Sequence, residues 1–117
     1  MTLKWRQTVT IKVADLDFQL KFVTDPFLAY EKNIYGLTDF VACVISLSNG
    51  PPAQRVYAVL WHELGHTIMD HLDWKKEDLD EESLSDLMQF GVPMLLRDNP
   101  WLGSFTDFQR HCQVRED

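Results

Sequence analysis

The sequence predicts a single α+β domain in which a small antiparallel or mixed β-sheet packs against two helices. Two stretches near the N-terminus alternate between polar and apolar residues, as strands with one buried face do. Two later stretches carry apolar residues at the spacing of amphipathic helices. The chain has 117 residues, of which 45% are hydrophobic, and this is enough for one domain with one packed core. We therefore expect residues 1–117 to fold as one unit.

The predicted strands lie in the first half of the chain. Thr8–Val13 and Leu16–Phe22 carry apolar side chains at every second residue, and the two residues between them, Ala14-Asp15, predict an antiparallel hairpin. Asp25–Gly36 begins with an Asp-Pro break and mixes aromatic with charged residues, which predicts a loop with a short helical turn. Phe40–Leu47 is apolar on both alternating faces, which is typical of a more buried strand.

The first helix is predicted from Ala53 to about Leu72, because apolar residues recur there at near-helical spacing and no proline interrupts them. Gly65 lies inside this helix, although a glycine costs a helix about 1 kcal/mol relative to alanine. We therefore expect another group to approach the backbone closely at Gly65.

The second helix is predicted to begin after Asp80, whose side chain can cap the first turn. Its apolar stripe consists of Leu84, Leu87, Met88 and Leu95. Pro93 is expected to kink this helix because its ring conflicts with the carbonyl group of Gln89, and Asp98-Asn99-Pro100 should end it. From Trp101 onward the pattern is irregular and allows only a short C-terminal helix.

Composition and charge exclude several classes of protein. Eleven basic residues against eighteen acidic ones give a formal charge of −7, which repels phosphate backbones, so direct binding to nucleic acid is not expected. No apolar run is long enough to span a bilayer, and the N-terminus lacks the apolar block of a signal peptide. Cys43 and Cys112 are too few for a disulfide scaffold. We therefore expect a cytoplasmic protein without a membrane partner.

The strongest local signal is His62-Glu63-Leu64-Gly65-His66, which matches the HExxH motif. Residues i and i+4 share one face of a helix, so His62 and His66 can bind one Zn²⁺ ion together. Glu63 is adjacent to this pair, where its carboxylate can act as the general base that takes a proton from the attacking water molecule. The motif therefore predicts a zinc site with a catalytic glutamate.

A zinc site for hydrolysis needs three protein ligands, and the motif supplies two of them. The predicted third ligand is Glu82, at the start of the second helix, with Glu81 as its main rival. Asp86 lies four residues after Glu82 and shares its helix face. We expect Asp86 to accept a hydrogen bond from a zinc-binding histidine and so to fix the orientation of that ring.

The pattern His62-Glu63-Leu64-Gly65-His66 followed by Glu82-Ser83-Leu84-Ser85-Asp86 resembles the HExxH…ExxxD arrangement of gluzincin metallopeptidases. The order of a short sheet, an HExxH helix and a second glutamate-bearing helix is similar to that of the ImmA/IrrE family, small metallopeptidases of phages and bacteria. The resemblance covers roughly residues 36–100. It implies a zinc-dependent cytoplasmic endopeptidase with a protein or peptide substrate, often a transcriptional repressor of a mobile element.

Substrate handling leaves several alternatives open. The group that stabilises the oxyanion could be Tyr57, His71, Arg97 or His111. Phe40–Leu47 is expected to act as an edge strand that aligns an extended substrate through backbone hydrogen bonds. The alternative to a peptidase is a non-catalytic zinc-binding module that interacts with a host or regulatory protein. A purely structural domain without metal is the second rival.

Overall fold

Two small sheets and several helices form the α+β fold of the computed structural model, which describes residues 2–24, 35–71 and 80–116. The strands are β1 (Thr2–Trp5), β2 (Thr8–Val13), β3 (Leu16–Val23), β4 (Gly36–Asp39), β5 (Val44–Ser48) and β6 (Gln113–Glu116). The helices are α1 (Ala53–His71), α2 (Glu81–Asp86), α3 (Val92–Asp98) and α4 (Phe105–Cys112), with a π-helical turn at Leu87–Gly91 and a 3-10 turn at Pro100–Gly103. The predicted α+β class is confirmed at this level.

The larger sheet is mixed and has the strand order β2-β3-β5-β4. β2 and β3 form the predicted hairpin, in which Val13 pairs with Leu16 across a two-residue turn. Ala14 in this turn has a φ of 56°, in the left-handed region that favours glycine. β3 and β5 are parallel, whereas β4 and β5 are antiparallel. This order places β4 at one edge of the sheet. The predicted loop with a helical turn lies almost entirely in residues 25–34, outside the described residues.

The predicted strand Phe40–Leu47 is wrong over its first half. Residues 40–43 are the turn of a hairpin between β4 and β5, and the second strand begins only at Val44. Asp39 directs this turn, because its Oδ1 atom accepts hydrogen bonds from two backbone N–H groups of the turn, each at 3.0 Å. Cys43 then adopts a left-handed φ of 56°. The apolar run concealed the turn, since the residue that directs it lies outside the run.

α1 forms the layer that packs against the sheet. The aliphatic side chains that it buries recur every four residues and are Val56, Leu60, Leu64 and Ile68. The same core cluster contains the sheet residues Ile11, Leu20, Ile45 and Leu47. Each fully buried Leu or Ile contributes about 2 kcal/mol through removal of apolar surface from water. This packing fixes which face of α1 is left to carry polar side chains.

Gly65 does not have the expected close neighbour. Among the described residues, nothing lies within 4 Å of a Cβ atom built at this position. The predicted close approach is therefore wrong for the part of the chain that the structure describes.

α2 begins at Glu81, as predicted, and Asp80 is its N-cap. The Asp80 carboxylate accepts a 2.7 Å hydrogen bond from the N–H group of Ser83, and this bond lowers the pKa of Asp80. The cap anchors the first turn of a helix that buries none of its own residues.

The second predicted helix contains a π-helical turn near Pro93, which the sequence did not indicate. Leu87–Gly91, which ends two residues before Pro93, forms this turn, in which the N–H group of Val92 bonds to the carbonyl group of Leu87. A wider turn of this kind relieves the conflict between a proline ring and the preceding carbonyl group. The predicted apolar stripe is buried only at its end, since Leu95 is 0% exposed and Met88 is 66% exposed.

Asn99 joins the end of α3 to the edge strand β2. Its side chain is buried, and Oδ1 accepts a 2.9 Å hydrogen bond from the N–H group of Lys12. Nδ2 donates to the carbonyl groups of Lys12 and Leu95, at 2.7 and 3.1 Å. These bonds satisfy backbone groups that an edge strand otherwise leaves unpaired. The predicted helix end at Asp98-Asn99-Pro100 is confirmed.

The C-terminal stretch contains the short helix α4 and then β6, which pairs antiparallel with β1 at the opposite end of the chain. This second sheet was not predicted, because the two strands that form it are far apart in sequence. Within the described ranges, no helix combines the length and the apolar character that crossing a membrane requires.

Candidate metal and catalytic site

α1 brings His62 and His66 together on its exposed face. Their Nε2 atoms are 3.2 Å apart, and both residues are exposed. Two nitrogen ligands of a tetrahedral Zn²⁺ ion, each bound at about 2.0–2.1 Å, lie about 3.3 Å from each other. The pair therefore has the spacing that zinc binding requires. The same distance also suits a hydrogen bond between the two rings, so the geometry fits zinc without requiring it.

Glu63 lies between the histidine pair and β4. It is 8% exposed, and its Oε2 atom accepts a 2.6 Å hydrogen bond from Oγ1 of Thr38. Among the described residues, this is the one hydrogen bond that the carboxylate makes. A carboxylate held by one oxygen atom keeps accepting capacity on the other, as a general base requires.

Gly36 allows β4 to lie close to α1. A Cβ atom at this position would be 2.8 Å from Cγ1 of Val59 and 3.1 Å from Cγ of Glu63. The first of these distances is too short for a Cβ atom, so any other residue at this position would force the Val59 side chain, the helix or the strand to shift. Thr38 lies two residues further along the same face of β4, and the close approach brings its hydroxyl group within reach of Glu63.

A cleft of about 440 Å³ opens between β4 and α1. Gly36 and Leu37 of β4 line one side, and His62 and Glu63 line the other. Arg55 lines the part of the cleft that lies near the start of α1. The candidate base therefore stands in a concave site large enough for a segment of a ligand.

The strand beside this cleft is not the one that the sequence indicated. Phe40–Leu47 was expected to present a free edge, but its ordered part, β5, pairs with β3 on one side and β4 on the other. β4 is the edge strand, and it pairs only with β5 among the described strands. Among the described residues, β4 therefore has an unpaired edge next to Glu63, and edges of this kind are the ones to which extended peptides add.

The predicted third ligand, Glu82, is not part of a metal-binding group among the described residues. Glu82 and Asp86 are exposed residues of α2, and Glu81 is exposed beside them. Among the described residues, no group of three or more His, Cys, Asp or Glu side chains is arranged to hold a metal ion. The structure thus brings His62 and His66 together without adding a carboxylate of α2 to them. The role of Glu82 as third ligand, and that of Asp86 behind it, stays a prediction.

Three of the four candidates for oxyanion stabilisation make contacts of their own. The hydroxyl group of Tyr57 donates a 2.6 Å hydrogen bond to the carbonyl group of Leu102. The guanidinium group of Arg97 forms a 3.1 Å ion pair with Asp98, which raises the pKa of Arg97 and lowers that of Asp98.

His111, the third of these candidates, stacks on Trp101 with ring centroids 4.4 Å apart. Burial lowers its pKa, and the positive charge of Arg6 lowers it further. His71, the fourth candidate, is exposed at the last residue of α1. None of the four is among the residues that line the described cleft.

The two cysteines are separate free thiols and not part of the candidate site. Burial raises the pKa of the Cys112 thiol to about 12, so it stays protonated and unreactive at neutral pH. Cys43 is partly buried and packs against the core.

Sequence reasoning missed Thr38 and Gly36. Both lie in a segment whose polar and apolar alternation is too short to predict a strand, and Gly36 was assigned to the end of a loop. A local signal did exist, because the glycine and the hydroxyl residue are two positions apart and would share one face of a strand. What the sequence could not supply was the partner of that face, which lies 25 residues later at Glu63.

Comparison of the chain with protein-family models, with curated proteins and with solved structures gives no match.

Proposed function

We propose that this protein is a zinc-dependent metallopeptidase of gluzincin type that hydrolyses a peptide bond of a protein substrate in the cytoplasm. One observation carries the proposal: His62 and His66 have their Nε2 atoms 3.2 Å apart, and Glu63 stands in the adjoining cleft. An exposed pair of imidazoles beside a sheltered carboxylate supplies two zinc ligands and the general base of such an enzyme. A regulatory role in a phage or another mobile element belongs to the same proposal.

The donor set fits zinc better than the common alternatives. Zinc hydrolases bind their metal through imidazole and carboxylate groups, whereas Mg²⁺ and Ca²⁺ prefer sets of oxygen atoms. His62 and His66 would hold the ion, Glu82 would complete the three protein ligands, and Asp86 would orient one histidine ring. When bound, zinc supplies a Lewis acid that lowers the pKa of a water molecule and polarises a carbonyl group.

Glu63 is the proposed general base and acid. Its carboxylate takes a proton from water as the peptide carbonyl is attacked, and it returns the proton to the amine that leaves. Thr38 holds one oxygen atom of the carboxylate and so limits its rotation. The backbone of β4 aligns the extended substrate by pairing with it along the cleft.

The alternative is a zinc-binding module without turnover. It is favoured by the fact that the described residues bring only two predicted ligands together. A partner protein could then supply the missing ligand, and Glu63 would not act on a peptide.

Cleavage of a peptide library by the zinc-loaded protein tests the proposal. We expect hydrolysis that a chelator abolishes and added zinc restores. We expect Glu63→Gln to lower kcat/KM by about 100-fold or more while zinc stays bound. Glu116→Gln, which changes an exposed carboxylate of β6, is the control and should behave as the wild type.

Two outcomes would contradict the proposal, the first its activity and the second its mechanism. If the zinc-loaded protein cleaves no peptide, the non-catalytic module is the better account. If Glu63→Gln and Glu116→Gln cleave equally well, Glu63 is not the base.

A further inference from the structure

The cleft between β4 and α1 has two chemically different ends. Glu63 lies near the histidine pair, whereas Arg55 lies in the first turn of α1. Eight residues of helix separate Arg55 from Glu63, which corresponds to about 12 Å. The acidic and the basic lining groups are therefore well apart, and a ligand that spans the cleft meets charge of opposite sign at its two ends.

Arg55 is placed to bind an anionic group. It is exposed, and its guanidinium carbon lies 5.9 Å from the ring centroid of Tyr35, which is also a lining residue. This contact restricts the side chain through a cation–π interaction. Within the described part of the chain, the guanidinium group makes neither an ion pair nor a hydrogen bond. No described residue engages its donors, which can therefore serve a ligand.

The surrounding charge supports the same assignment. The first turn of α1 contains no acidic side chain, so its own residues do not neutralise the positive end of the helix dipole. The chain as a whole has a formal charge of −7. The acidic surface as a whole repels carboxylates. A single cation that faces an open cleft can therefore attract a carboxylate at that one position.

The direction of β4 defines which side of a bound peptide reaches Arg55. Tyr35, just before β4, lies by Arg55, and Thr38, further along the strand, bonds to Glu63. β4 and α1 therefore run in the same direction along the cleft. A peptide that pairs antiparallel with β4 directs its C-terminal side toward Arg55.

We propose that Arg55, supported by Tyr35, binds a carboxylate of the substrate on the C-terminal side of the cleaved bond. The helix rise from Arg55 to His62 is about 10 Å, which an extended peptide covers with about three residues. The carboxylate is either the side chain of an acidic residue about three positions after the cleaved bond or the C-terminus of a short substrate. This inference rests on the proposed function, because it takes a peptide as the ligand of the cleft.

Peptide binding to the Glu63→Gln protein tests the inference without requiring turnover. Three pools of acetylated octapeptides of Ala, Val, Leu, Ser and Thr serve as probes. The first has a fixed Gln and an amidated C-terminus, the second has Glu in place of that Gln, and the third has the Gln with a free C-terminal carboxylate. We expect the second or the third pool to bind about fivefold more tightly than the first, less so at high salt.

Arg55→Gln in the same background should remove this preference, whereas Arg110→Gln, which changes an exposed arginine of α4, should retain it. Tighter binding of the second pool would identify an internal acidic residue as the ligand of Arg55, and tighter binding of the third pool would identify a free C-terminus. Equal binding of all three pools, a preference that survives Arg55→Gln, or no binding of any pool overturns the inference. If the charged pools bind more tightly through Arg55 but the wild-type protein cleaves no peptide, the proposed peptidase activity is wrong and the binding role of Arg55 stands.

Discussion

The cleft between α1 and β4 and the surface of α2 carry the two halves of the predicted metal site, and they differ in how their side chains are held. In the cleft, Glu63 is 8% exposed and accepts a hydrogen bond from Thr38, while the histidine pair stands on a helix whose other face is in the core. On α2, no residue is buried, and both Glu82 and Asp86 are exposed. Packing therefore positions the first half of the site but not the second.

This difference bears on how zinc would bind. A site that is preformed by packing needs little rearrangement, whereas a ligand on an exposed helix is ordered by the metal itself, and its binding free energy includes that ordering. The proposal therefore requires α2 to bring Glu82 to the histidine pair when zinc is bound.

The largest expected effect is on zinc affinity when the exposed half of the site is changed. Glu82→Gln should weaken zinc binding by more than about 100-fold, because loss of a mere supporting group near a zinc ligand already costs about 10- to 100-fold. Asp86→Asn should weaken it by about tenfold. Competition with a chromophoric chelator measures both. Glu81→Gln is the matched control, and an effect as large as that of Glu82→Gln would make Glu81 the ligand.

The second prediction concerns the attachment of the second helical region to the sheet. Asn99→Ala removes the side-chain hydrogen bonds to Lys12 and Leu95 and leaves buried backbone groups unpaired. We expect the free energy of unfolding to fall by about 2 kcal/mol, as measured by urea denaturation. Asn49→Ala, at a partly buried loop position, should cost much less. Equal losses for the two variants would mean that the Asn99 contacts do not stabilise the fold.

The third prediction tests how firmly the cleft holds Glu63. Thr38→Val removes the hydroxyl group that donates to Oε2 but keeps the shape of the side chain. We expect kcat to fall by about tenfold with KM little changed, because the carboxylate loses its orientation rather than a contact with the substrate. Thr38→Ser should restore activity, and Thr10→Val, on the exposed face of β2, should have no effect. A fall in activity that Ser does not restore would contradict the role of this hydrogen bond.

The smallest expected effects come from two glycines and have opposite signs. Gly36→Ala should destabilise the protein by about 1 kcal/mol, because its Cβ atom would be 2.8 Å from Val59. Gly65→Ala should stabilise it by about 1 kcal/mol, since nothing among the described residues lies within 4 Å of that Cβ atom and alanine favours a helix. Thermal unfolding of both variants checks the pair. Destabilisation by Gly65→Ala would show that an unrecognised group packs there.

The sequence predicted those elements whose cause is local. Alternation of side chains indicated the hairpin of β2 and β3, and the Asp80 cap indicated the start of α2. The turn after Asp39 was missed because an apolar run covered it, and the β1–β6 pair was missed because its strands lie at opposite ends of the chain. In the candidate site, His62, Glu63 and His66 could be found because they form one contiguous motif.

Thr38 and Arg55 could not be found in the same way. The proposed role of each residue depends on a contact that only the fold creates. Thr38 contacts Glu63, and Arg55 contacts Tyr35. The edge position of β4 among the described strands, on which the proposed peptide binding depends, follows from the strand order of the whole sheet.

Zinc content of the purified protein tests the central claim most directly. The account predicts one tightly bound zinc ion per chain in the wild-type protein and in His71→Ala, a variant at the exposed end of α1. His62→Ala and His66→Ala should each lose the ion, while their circular dichroism stays like that of the wild type because both side chains are exposed. A wild-type protein that binds no zinc, or zinc that remains bound in both His62→Ala and His66→Ala, would contradict the account.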